Sequence, residues 1–319
     1  MSRFCAPCII FTVGKTGTNM GRKFISGAVN HCYQRTLNGE VIFYCISDFL
    51  VCYTHISVAS RRHPVKVLSQ VLMPDHLHGS YIAESEKQLR NFIQDYTSHF
   101  ARSHNATCHW NAPLFQPFGY AQKVHSKDIR TNLIYLGNNG PERHLSGKAE
   151  KYRWSFLAYA DNPHPFSEKL RLDYASRPLR RAIQEVRAFR SAEKPLTYVA
   201  LQRMTRSLND VEKQQLADFI IVTYKYIDFE AASAYFESRD AMLSAMHNTK
   251  GSEYELKEEF TGWDDKVYSQ MASILLREYR LADIHDCLLW SVQEKNRAFN
   301  LLKARTAAAD RQIAKFLRM

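Results

Sequence analysis

Two histidines one residue apart, His76 and His78 in VLMPDHLHGSYI (71–82), are the residues whose type and spacing first suggest chemistry. Val71, Leu72 and Met73 lead in, Pro74 and Asp75 break the run, and Leu77, Ser80, Tyr81 and Ile82 follow with strand-like character. Alternate side chains of a strand project from one face, so both imidazoles point the same way and could chelate a metal ion. The competing reading is a pair of hydrogen-bonded, half-exposed histidines. Further groups are needed for a reaction, and DIRTNLIYLGNN (128–139) offers them. Tyr135 and Asn139 stand one helical turn apart, which sets a phenol and an amide oxygen on one face. Otherwise Tyr135 is ordinary core, its hydroxyl capped by a neighbour.

These residues need a scaffold, and from 26 to 84 the pattern reads strand, helix, strand, strand. GAVNHCYQRT is β-like, Asn38-Gly39 is a turn, and SDFLVCYTHISVASRR runs helical from a cap at Ser47 or Asp48. PVKVLSQVLM is a strand, and HLHGSYIA pairs back on it across the Pro74-Asp75 corner. A helix capped by Ser85 follows, with Leu89, Phe92, Ile93, Tyr96 and Phe100 at three- and four-residue steps. A loop and short strand then precede a helix that starts near Lys127 and ends at Gly140-Pro141. Beyond 168 the texture becomes helical, and the Pro-rich NPHPFSEKLRLDYASRP marks a boundary. The expected fold is α+β, a central antiparallel sheet with helices on one face, followed by an all-α C-terminal domain. The expected division is an extension at 1–23, a catalytic domain at 24–168, a linker with a basic helix at 169–200, and a helical domain at 201–319.

Lys plus Arg exceed Asp plus Glu by 43 to 32, a net charge of +11 that suits a polyanionic partner as well as it suits solubility. Nothing resembles a membrane span, and the N-terminus lacks a basic leader and a cleavage site, so a cytoplasmic chain is expected. Seven cysteines, an odd number in apolar settings, read as free thiols. Cys5 and Cys8 lack a second pair at zinc-site spacing. Gly14-Lys15-Thr16 lacks the upstream glycine of a phosphate loop, because Ile9 stands there. In the helical half, Arg177, Arg180, Arg181, Arg187 and Arg190 form either a phosphate-tracking helix or a solvated one. Gln312, Ile313 and Leu317 sit in a segment whose phrasing suits a helix-turn-helix, with a packing helix as the default.

The succession NHCYQRTLNG, VLMPDHLHG, DYTSHFARSHN, LFQPFGYAQKV, IYLGNNGPER and YRWSFLAY resembles the single-tyrosine HUH transposase family, in particular its REP-associated tyrosine transposase branch, across residues 24–168. The resemblance implies a ferredoxin-like or RRM-like HUH endonuclease core. It implies that His76 and His78 hold a divalent metal, Mg²⁺ or Mn²⁺, that Tyr135 is the nucleophile, and that Asn139 assists the metal. The family's Asn-Pro appears here as Asn139-Gly140 with Pro141 one place later, which keeps Asn138 as a rival. The implied protein is a bacterial transposase that cleaves and rejoins single-stranded DNA at hairpins through a 5′-phosphotyrosine, as a monomer or homodimer.

Contacts to such a strand would combine basic residues with aromatic platforms. Arg35, Arg90, Arg130 and Arg143 are candidates, with Phe118 and Tyr120 as platforms. Lys123, Lys127 and Arg130 flank the tyrosine helix, where a solvated face is the alternative. Two rival readings remain. One is a catalytically inactive DNA-binding protein or regulator, and the other is a metal-activated nuclease for RNA in which water attacks.

Overall fold

The computed structural model describes residues 23–248 and 264–319, so Cys5, Cys8 and the Gly14-Lys15-Thr16 stretch lie outside the described residues. Strands β1 (Val29–Arg35), β2 (Lys66–Met73), β3 (His76–Ile82) and β4 (Gly119–Lys123) form one antiparallel sheet in the order β2-β3-β1-β4. With α1 (Ile46–Arg62) between β1 and β2, and α2 (Glu86–Thr107) between β3 and β4, the connectivity is ferredoxin-like and the class is α+β. Pro74-Asp75 makes the corner, pairing Met73 with His76 and Leu72 with Leu77.

The two faces of the sheet follow from register. Opposed residues of an antiparallel pair share a face. His76, His78 and Ser80 therefore lie with Arg35, Tyr33 and His31 of β1. Leu77, Gly79 and Tyr81 project the other way with Gln34, Cys32 and Asn30. The second face carries α2, whose Phe92 ring meets Tyr81 edge-on at 5.1 Å. Burying side chains such as Phe92 and Leu89 is worth about 1.5–3 kcal/mol each, which is why the three- and four-residue stripe of α2 seats there. Helix α1 lies beside α2. Its first residue is Ile46, and Asp48 lies inside the helix and reaches back: its Oδ2 accepts from the backbone N–H groups of Tyr44 and Cys45 at 2.7 and 3.0 Å.

Helix α3 (Ser126–Glu142) lies on the histidine face, so helices cover both faces of the sheet and not one. It also runs past the Gly140-Pro141 stop expected from sequence. Pro141 falls in the last turn, where its missing N–H costs one hydrogen bond near an end that frays anyway. Gly140 is needed there because a Cβ would sit 2.7 Å from Cβ of Tyr152. The chain then returns along the outer edge of β2, with Ser155 bridging Val71 and the Tyr152 hydroxyl donating to the Leu72 carbonyl at 2.6 Å. Covering the edge in this way removes a row of unpaired backbone groups.

Eight further helices follow: α4 (Arg177–Ser191), α5 (Tyr198–Thr205), α6 (Asp210–Thr223), α7 (Phe229–Ser233), α8 (Arg239–Asn248), α9 (Lys266–Glu278), α10 (Val292–Arg305) and α11 (Asp310–Leu317). The buried residues of α4 to α8, such as Ile183, Ile220 and Met242, join the core of the sheet. Those of α9 to α11 form a second cluster with Val41, Tyr44 and Cys108. Ile313 and Leu317 of α11 are fully buried in it, and the Gln312 amide donates to the Asp264 carbonyl, so α11 is a packing helix.

Candidate active site

The site starts from the alternation of β3. Ser80 donates a 2.6 Å hydrogen bond to the Asn132 side chain, which fixes the start of the inward stripe of α3 against the sheet. One turn later Tyr135 lies over the histidines, its ring centroid 5.6 Å from that of His78 and 5.8 Å from that of His31. His76 and His78 are neighbours with centroids 4.8 Å apart and rings perpendicular. Another turn on, Asn139 is buried and its amide nitrogen donates to the Tyr135 carbonyl at 2.9 Å, so the oxygen is the ligating atom it offers. Asn138 is buried as well.

Each histidine of the pair is held through Nδ1. Nδ1 of His76 meets Oδ1 of Asp75 at 2.6 Å, and Nδ1 of His78 meets Nε2 of His31 at 3.2 Å. An imidazole that donates its Nδ1–H to a fixed acceptor presents the Nε2 lone pair, the arrangement by which proteins orient metal-binding histidines. Burial alone would raise the Asp75 carboxyl, but the His76 ring, with help from Lys315 and Arg143, holds it well below the usual carboxylate range. An ionised Asp75 is the acceptor that this tautomer of His76 requires.

The structure thus brings together His76, His78 and Tyr135 within one chain, with Asn139 one turn further along α3. The remaining sequence candidates scatter. Arg35 opposes His76 in the register and sits on the same face, exposed, with its guanidinium 5.9 Å from the Tyr33 ring. Lys123 opposes Val29 near the far end of β1. Lys127 and Arg130 are exposed on α3. Arg143 is turned to α9, with its guanidinium 3.8 Å from the buried Asp265 carboxylate. Arg90, Phe118 and Tyr120 form a separate group by the β4 edge. There Arg90 pairs with Glu86 at 2.6 Å and lies 5.4 Å from the Phe118 ring, and Phe118 lies 6.3 Å from Tyr120. Tyr120 opposes Cys32, which puts it on the α2 face, away from the histidines.

Sequence reasoning missed His31, Asp75, Ser80 and Asn132 as members of this site. His31 alternates with Tyr33 on β1, but nothing in the spacing says that β1 lies beside β3. From sequence, Asp75 is a corner residue.

A second polar cluster lies between α1 and the C-terminal helices. Cys45, Asp48 and His285 offer three donor atoms within 4.8 Å of one another. Hydrogen bonds to protein groups hold Asp48 and His285. Nε2 of His285 meets Asp48 at 2.9 Å, Nδ1 meets Asp283 at 2.6 Å, and Asp48 also accepts from the Tyr198 hydroxyl at 2.8 Å. Burial would lower the His285 pKa, but the two carboxylates override it and raise it to about 10, so the ring is an imidazolium.

No family model and no curated protein matches the chain. Among solved structures, a REP-associated tyrosine transposase bound to a REP hairpin aligns with 44% of this chain and 84% of its own, at 16% identity and a TM-score of 0.36. A likeness of that degree assigns neither activity nor substrate.

Proposed function

We propose that this chain is a metal-dependent tyrosine transposase, or nickase and ligase, for single-stranded DNA carrying hairpins. The observation that carries the reading is the pairing of Asp75 with Nδ1 of His76 and of His31 with Nδ1 of His78, beneath the Tyr135 ring. Two imidazoles so tied, with the Asn139 oxygen as a third donor, suit a divalent ion that accepts mixed nitrogen and oxygen ligands, Mn²⁺ or Mg²⁺. Bound there, the ion would draw charge from the non-bridging oxygens of a phosphodiester and ease loss of the phenol proton.

The protein's own part is positional. Asn132, Tyr135 and Asn139 occupy successive turns, so the Ser80 bond to Asn132 sets the height of the phenol above β3. Tyr135 loses its proton, its oxygen bonds to phosphorus, and the bond from phosphorus to the 3′ oxygen breaks, with that oxygen taking up a proton. The products are a 5′-phosphotyrosine and a free 3′-hydroxyl, and attack by a 3′-hydroxyl reverses the step without ATP. Tyr135 is 4% exposed.

That burial also favours the rival reading, a strand-binding protein without catalysis. Tyr135→Phe separates the two. With Mn²⁺ and a labelled single-stranded hairpin, the wild type should form a covalent protein–DNA adduct, and the variant should bind the strand without forming one. An adduct that persists in Tyr135→Phe assigns the nucleophile elsewhere. Cleavage without any adduct in the wild type supports the water-attack nuclease, and binding without cleavage supports the regulator.

A further inference from the structure

We infer that α4 and the turn before it form a second contact surface for single-stranded nucleic acid, separate from the tyrosine site. The helix is divided cleanly. Leu179, Ala182, Ile183 and Val186 are buried, while Arg177, Arg180, Arg181 and Arg187 are exposed. At 100° per residue the four arginines and Gln184 form one stripe opposite the apolar one, about 15 Å from end to end. Arg187 lies 5.6 Å from the Phe219 ring. Arg177, Arg180 and Arg181 pair with no acid among the described residues, whereas Glu185, the acid of this helix, is taken by Arg203. Arg190 is spent differently, donating to the Thr223 carbonyl at 3.0 Å, and belongs to the packing of α4 on α6.

The stripe works against the helix that bears it. No acid stands in the first turn, Arg177 occupies the positive end of the macrodipole, and Arg177 faces Arg180 and Arg181 at like-charge spacing. A solvated surface helix would intersperse acids at such positions. In the turn that leads into the helix, Tyr174 is 84% exposed, the most open large apolar side chain among the described residues, with its own N–H bonded to the Arg171 carbonyl. A charged track and an open aromatic ring at one end of the same helix are what an unpaired strand requires, phosphates on the guanidinium groups and a base stacked on the ring. The choice of DNA as the probe rests on the proposed function.

The test is fluorescence anisotropy of a labelled single strand with the full-length protein over a salt series. Replacing Arg177, Arg180 and Arg181 together by Gln should lower the slope of log affinity against log salt by about 2, three contacts at about 0.7 each. Tyr174→Ala should weaken binding roughly 5- to 100-fold at fixed salt, by loss of one stacked base. A charge-matched variant, Lys266→Gln with Arg280→Gln and Arg297→Gln, should leave the slope within about half a unit of the wild type. Equal losses in the two triple variants would mean a bulk-charge effect and overturn the proposal. Binding to anionic-lipid vesicles with none to the strand would overturn it also. Adduct formation is read in the same samples. Stripe-dependent binding without an adduct keeps this surface and removes the catalytic reading, while an adduct with stripe-independent binding does the reverse.

Discussion

The ion cluster at His285 makes a sharp prediction about how the C-terminal helices are fastened. His285 sits between Asp48 of α1 and Asp283, at 2.9 and 2.6 Å, with side chains of His285 and Asp48 only 4% and 0% exposed. Its pKa is raised from 6.5 to about 10. Each pH unit of that displacement corresponds to about 1.4 kcal/mol, which puts the ceiling at about 5 kcal/mol, in line with the roughly 3–5 kcal/mol lost when one partner of a buried pair is removed. The sign follows from proton counting. Above 6.5 the unfolded histidine has released its proton and the folded one has not, so stability is fully present below 6.5 and declines as pH rises through about 10. His285→Gln removes the charge while keeping one donor. At pH 7 the variant should unfold with a free energy about 3 kcal/mol lower than the wild type in urea titrations. That gap should shrink by most of its size between pH 7 and pH 10, because only the wild type titrates there. Parallel stability curves over this window would refute the buried imidazolium.

Other outcomes follow from the same structure. Asp75→Asn should weaken Mn²⁺ binding about 10- to 100-fold by calorimetry, because the amide is a poorer acceptor for Nδ1 of His76, and unchanged affinity would remove Asp75 from the metal site. Chelation should abolish the covalent adduct, and added Mn²⁺ should restore it in the wild type but not in Tyr135→Phe. Gly140→Ala should cost about 1–3 kcal/mol in thermal or urea unfolding because its Cβ would press on Tyr152, whereas Gly147→Ala, with nothing within 4 Å, should be nearly neutral. Equal effects at the two glycines would show that the close approach of Tyr152 is not what holds Gly140.

The sheet was legible because β3 and its corner declare themselves by period two and by Pro74-Asp75, and α2 by an apolar stripe that a strand cannot present. The extent of α3 was not, because the Gly140-Pro141 stop is a local signal that packing on Tyr152 overrides. The inward pair of the site, His78 and Tyr135, could be guessed from types and spacing, but His31 could not, since strand order is a long-range property. For the same reason the arginines and aromatics proposed for DNA contact fell on different faces: Tyr120 and Lys123 differ in parity along β4, and only the register with β1 says which side each takes.

That long-range order also joins the C-terminal helices to the candidate site. Asp75, which orients His76, is met by Lys315 of α11 at 3.5 Å, and Arg143 at the end of α3 is held by Asp265 beside α9. Lys315 helps keep Asp75 ionised, and Asp265, pushed up to about 6 by burial despite Arg143, sits on the same charge network. A displacement of α11 would withdraw a positive charge from Asp75 and loosen the acceptor that fixes the His76 tautomer. The helical half is therefore part of the electrostatics of the histidine pair, and Lys315→Met should weaken Mn²⁺ binding in the same direction as Asp75→Asn but by a smaller factor, since it leaves the hydrogen bond to His76 in place. An Lys315→Met effect larger than that of Asp75→Asn would mean that α11 acts on the site by packing and not through charge.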